Sequence, residues 1–166
     1  MSASRFADLA AVYCSVIERR SELSRDELVA RTHPVIAQLY SAALELPDRE
    51  PSTVETRRST LSSQEWMALF TSLRDQLKDY DAFSPDATES RRSDEGSLAD
   101  DLADIYRELR DGLAGWNNTD PTRQGDAVWD WRFGFLVHWG DHALSAMRTM
   151  HRIKCEWNVE ERSHDG

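Results

Sequence analysis

His138 and His142 stand four residues apart in the run V-H-W-G-D-H-A. On a helix that spacing puts two imidazoles on one face, within reach of a single metal ion. Trp139, not glutamate, follows His138, so the H-E-x-x-H arrangement of zinc proteases is absent. A carboxylate from another part of the chain has to complete any such site. Asp101, Asp104 and Glu108, with Asp100 beside them, are the candidates, in the run S-L-A-D-D-L-A-D-I-Y-R-E-L at 97–109. Asp101-x-x-Asp104 is also a spacing that holds Mg2+ through carboxylates. All-helical nucleotide pyrophosphatases use two such pairs, but here Asp126, Asp130 and Asp141 do not supply the second. A divalent metal is the one cofactor these residues suggest. The same histidines and acids also read as a metal-free polar network, each group satisfying the other's hydrogen bond. The acids alone read as a solvated helix face, partly offset by Arg107 and Arg110.

Trp129, Trp131 and Trp139 form a second constellation, able to line a pocket for an aromatic or cationic ligand. The alternative is that they fill a core, each indole N–H finding an acceptor. No glycine-flanked serine elbow and no glycine-rich phosphate loop occurs in the chain. Two function classes follow. One is a non-enzymatic binding or adaptor protein, favoured because no ligand set closes on spacing alone. The other is a metal-assisted hydrolase built on His138, His142 and the carboxylates at 101–108.

The histidines belong to the most apolar stretch, W-D-W-R-F-G-F-L-V-H-W-G-D-H-A-L-S-A-M-R-T-M-H at 129–151. Its first residues alternate as a strand would, yet no other alternating run exists to pair with them, and an unpaired strand strands its backbone groups. A single helix from about Asp126 to about Cys155 is expected instead. A uniform step of about 100° per residue gives it two apolar faces. Trp129, Phe133, Leu136, Gly140, Ala143 and Met147 form one; Trp131, Phe135, His138 and His142 form the other. Gly140 is expected to lie against a neighbouring helix.

Four helices precede it. The first spans about Arg5 to Arg20, with Ser4 as its cap. The second follows the capping box Ser24-Arg25-Asp26-Glu27 and carries Pro34, which predicts a kink or break near Arg31 to His33. The third follows a second box, Ser62-Ser63-Gln64-Glu65, flanked by Leu61 and Trp66 at the spacing of a hydrophobic staple. The fourth, about Ser97 to Leu113, has the stripe Leu98, Leu102, Ile105, Tyr106, Leu109 and Leu113, with Gly112 or Gly115 as its stop. Asp101 and Glu108 flank that stripe, whereas Asp100, Asp104 and Asp111 point roughly opposite. Residues 47–60, 80–96 and 116–125 read as polar connections. The reading is therefore all-α: one domain, a bundle of about five main helices with a long, buried C-terminal helix, spanning 1–158, with 159–166 a charged, frayed tail.

The runs at 97–109 and 129–143, with F-A-D-L-A-A-V-Y-C-S-V-I-E near the start and L-Y-S-A-A-L-E-L-P at 39–47, resemble an uncharacterised bacterial family, domain of unknown function 5063. The resemblance covers nearly the whole chain and implies a compact all-helical domain. It implies no activity.

Composition bounds the partners. A net charge of −10 argues against nucleic acid and against anionic membrane, and fits plain solubility and a protein partner with a basic surface about equally. No uncharged run approaches the roughly 20 residues of a bilayer span, and the N-terminus does not read as a signal peptide. Two cysteines, Cys14 and Cys155, suit a reducing compartment, so a cytoplasmic location is expected.

Overall fold

The computed structural model describes residues 3–52, 59–83 and 97–164. These form α1 (Ala3–Glu18), α2 (Arg25–Ala43), α3 (Ser63–Leu77), α4 (Leu98–Trp116), α5 (Pro121–Gly134) and α6 (Gly140–His164), with short 3-10 turns at Arg20–Glu22 and Lys78–Phe83. A π turn, Phe135–Trp139, joins α5 to α6. Counted as one, α5, the π turn and α6 make the expected long helix, which continues to His164, past the expected end at about Cys155 and into the stretch read as a tail. The described residues hold five main helices and no strand. None of these helices is long and apolar enough to cross a membrane.

Local chemistry sets the starts. Ser24 and Ser62 each accept from the backbone N–H three residues on, while Glu27 and Glu65 reach back to the cap's own N–H. Both capping boxes are complete. α1 begins at Ala3, so Ser4 lies inside it and is not its cap. α2 runs through Pro34 without a break. The acceptor that proline leaves without a donor belongs to Ala30, on the exposed side of the helix where water is at hand. The long helix starts five residues before Asp126: Asp120 caps it, accepting from Thr122 N–H, and Pro121 takes the first turn, where its missing N–H costs nothing.

α4 is the hub. It packs on α1, α3, α5 and α6, while α2 closes against α1 and α6. Residues 101–106 of α4 are buried without interruption, so the helix is enclosed on almost every side there. Around it Phe6, Tyr13, Ile17, Leu28, Ile36, Leu39, Leu73 and Leu77 are fully buried, each contributing about 1.5–3 kcal/mol. Tyr13 also donates to the Leu102 carbonyl at 2.9 Å, which ties α1 to α4. Gly112 does not stop α4, which continues to Trp116 with Asn117 as its cap. It lies under the Trp131 indole, so closely that any Cβ would meet the ring.

The long helix buries Val128, Trp131, Phe135, Trp139, Ala143, Ala146, Met150 and Ile153. Three successive steps of four, from 131 to 143, would swing the seam about 120° around a regular α-helix. The wider π turn takes up that drift. It also corrects the expected faces. Phe133 and Leu136 are 48% and 63% exposed, whereas Gly140 and Ala143, assigned to the same face, are buried. A constant step cannot place both sets, because the phase changes between them. At Gly140 a Cβ would first run into the Phe135 carbonyl and ring, on its own long helix instead of a neighbouring one. Its glycine serves the π turn of its own chain.

The connection after α2 is anchored at both of its described ends. Ser52 donates through backbone N–H and hydroxyl to the two oxygens of Asp126 at 2.8 and 2.6 Å, and Thr60 donates twice to Asp111.

Helix propensity alone would make Gly140→Ala favourable by about 1 kcal/mol. Because the new methyl meets a backbone carbonyl, we expect a loss of about 1–3 kcal/mol instead. Urea denaturation measures it; an unchanged or raised midpoint would show that the π turn does not depend on this glycine.

Candidate functional site

Asp101, Asp104 and Glu108 repeat at three and four residues, so they line one side of α4. His138 and His142 line one side of the facing helix. The partners pair in opposite order along the two chains, Asp101 with His142 and Glu108 with His138, so the helices run antiparallel here. His142 Nδ1 lies 2.8 Å from Asp101 Oδ1, and His138 Nδ1 lies 3.0 Å from Glu108 Oε1. An ionised carboxylate only accepts, so each Nδ1 carries the proton and donates.

Asp104 lies between them. Its Oδ1 accepts from Trp66 Nε1 at 2.9 Å and pairs with Arg107 Nη2 at 2.7 Å. Its Oδ2 faces both remaining ring nitrogens, 3.4 Å from His142 Nε2 and 3.8 Å from His138 Nε2. The ligand-type atoms of Asp104, His138 and His142 all lie within 4.8 Å of one another. Metal bonds of about 2.0–2.2 Å put neighbouring ligand atoms roughly 3.4 Å apart around a tetrahedral ion, so a small closure of this triangle would seat one. Asp100, Asp101 and His142 make a second group within the same separation, overlapping the first.

Burial decides the electrostatics. Asp101 is 1% and Asp104 8% exposed, while the His142 and His138 side chains keep 21% and 37%. The carboxylates form the floor and the imidazoles the half-buried rim. Loss of water pushes the Asp101 carboxyl up, against the opposing hydrogen bond from His142. The bond to Asp101 raises His142, against its own partial burial.

Several expectations change. Asp104, placed opposite the apolar stripe, is buried at the centre of the cluster. The reason is that α3 covers the flank that α4's own periodicity assigns to water. Trp131 and Trp139 are core residues: their N–H groups donate to the Leu109 and Trp131 carbonyls at 3.3 and 3.1 Å, and both rings pack on Phe6. Trp129 stands apart, stacked on Phe133. The sequence offers Trp66 only as a staple residue, not as a partner of Asp104, and Arg107 only as a charge offset. The i, i+3 spacing of Arg107 from Asp104 was a usable signal; nothing near Trp66 was.

The raised value of His142 has a definite sign. Its stabilising contribution is complete below the unfolded value, about 6.5, and is lost as pH rises through the folded one. His33, lowered first by burial, has the opposite sign, so the comparison has to be differential. The stability gap between the metal-free protein and His142→Gln is expected to narrow as pH rises from 6 to 9. A gap independent of pH would show that His142 does not titrate with the fold. His142→Ala should cost about 1–3 kcal/mol, and more than His138→Ala, because it leaves Asp101 in the interior while Glu108 can turn to water.

The sequence also stands in relation to known proteins. A crystal structure of protein BF1032 from Bacteroides fragilis, a structural genomics target, is similar to this fold with a TM-score of 0.78. The two share 25% identity, over 90% of this chain and 89% of the other. No curated protein matches. The chain matches a family over residues 1–156, and it belongs to that family, the domain of unknown function 5063.

Proposed function

We propose that the protein binds one divalent transition-metal ion through Asp104 Oδ2, His138 Nε2 and His142 Nε2. One observation carries this reading: both Nδ1 atoms are committed to carboxylates, so in the neutral rings two lone-pair-bearing Nε2 atoms converge on a carboxylate oxygen. Three acceptors turned towards one point repel one another unless a cation or proton lies among them. A histidine that donates one ring N–H to a carboxylate and keeps its other nitrogen free is the usual ligand of such ions, the carboxylate being its outer-shell partner. Trp66 and Arg107 hold the third ligand in the same way.

Two imidazoles and a carboxylate suit Zn2+, Fe2+, Co2+ or Mn2+ better than Mg2+ or Ca2+, which prefer oxygen. Three protein ligands leave a position open, and the exposed rim of His138 gives access to it. An ion there supplies Lewis acidity to a bound water or carbonyl, which supports the metal-assisted hydrolase over a purely structural site. Analysis of protein purified without a chelating tag is expected to find about one equivalent of metal. Zn2+ or Co2+ at 100 times its Kd should add about 2.7 kcal/mol of stability, and Asp104→Asn should abolish the gain. Less than a tenth of an equivalent, with no shift in melting temperature, overturns the reading.

A separate observation favours a second reading, a binding or adaptor protein. Phe133, Leu136, Val137 and Leu144 leave an apolar strip of the long helix exposed, on a chain whose overall formal charge of −10 suits a basic partner. Serine at Phe133 and Leu136 should leave metal binding intact; loss of a partner's binding in those variants alone would separate the two roles.

A further inference from the structure

Gly134 closes α5, one residue before the π turn that carries His138. It is buried, and what surrounds it bears on the cluster. A Cβ at this position would stand 2.8 Å from Glu108 Oε2 and 3.1 Å from Trp139 Cδ1. These neighbours differ in their freedom to move. Trp139 has no exposed surface, is wedged between Phe6 and Phe135, and is held through its N–H by the Trp131 carbonyl. Glu108 presents the far end of a flexible side chain, and 30% of that side chain already faces solvent. A methyl group at 134 would therefore displace the Glu108 carboxylate into water and leave the core in place.

The other oxygen of that carboxylate is the partner of His138 Nδ1, at 3.0 Å. This bond decides which ring nitrogen of His138 carries the proton and turns Nε2 towards Asp104. Without it the ring is free to rotate and to exchange tautomers. His142 has no such dependence, because Asp101 is enclosed.

We infer that Gly134 is a positioning residue: by leaving room for Glu108 against α5, it fixes the tautomer and aim of His138 at the metal position. Its functional meaning rests on the metal reading, but the positioning is measurable without metal. In the metal-free protein, the ring 15N shifts of His138 are expected to show protonated Nδ1 and unprotonated Nε2. Gly134→Ala should convert them to a mixture of tautomers while His142 stays unchanged and helix content is retained. Co2+ affinity, read by absorption titration, should fall about 10–100-fold, the usual effect of removing an outer-shell partner.

Glu108→Ala should reproduce both effects, and Glu108→Gln, which keeps an acceptor oxygen, should keep the tautomer. The double variant Gly134→Ala with Glu108→Ala should be no weaker for Co2+ than either single one, since both act through one contact. Additive losses, or an unchanged His138 spectrum in Gly134→Ala, overturn the inference. Should wild-type protein fail to bind Co2+ while the tautomer responds as described, the metal reading falls and the positioning stands.

Discussion

The structure depends on two carboxylates that are almost shut off from water. Asp101 and Asp104 sit in the first two turns of α4, the helix against which α1, α3 and the long helix pack. Buried charges are costly unless each is met by a donor. Asp101 is met by His142 Nδ1 of the long helix, and Asp104 by the Trp66 indole of α3 and by Arg107 of α4 itself, while His138 meets Glu108. Each contact requires a particular register. Sliding the long helix by one turn, about 5.4 Å, would part both histidines from their acids and leave the charges stranded. The cluster thus fixes how three helices meet, whatever else it does.

Keeping that register along so long a helix needs a break in its regularity. The apolar seam from Trp131 to Ile153 is straight only because the π turn resets its phase between Phe135 and Trp139. The two glycines that bracket the turn serve different contacts. Gly140 leaves room for the Phe135 carbonyl, and Gly134 leaves room for Glu108. His138 lies within the turn and His142 just beyond it, so the irregularity that straightens the core also brings the two imidazoles to one aspartate. Backbone irregularity and polar cluster are two aspects of one fit between α4 and the long helix.

The arrangement separates rigidity from access. The floor of the site is the core: Asp101 is as buried as the leucines beside it. The rim is not, because His138 and Glu108 reach solvent. A polar group placed so is held in orientation from below and remains open from above, the combination that a reactive or exchangeable ligand site requires.

Much of this was legible in the residues. The five helices follow from apolar spacing, both capping boxes from their own four residues, and the convergence of His138 and His142 from a four-residue interval. These are local properties, set by one helix's periodicity and by groups within a turn of each other. The flank occupied by Asp104 was not legible. Its position opposite the stripe says water, and only the arrival of Trp66 and the two histidines, 38 and more than 30 residues away in sequence, makes it interior. The π turn was hidden for a related reason: a constant step fits the apolar residues before it and after it, but not together, and the seam they must share is defined by α4. Sequence set the phase of each helix by itself; tertiary packing decided which sides were enclosed, because enclosure is a property of neighbours.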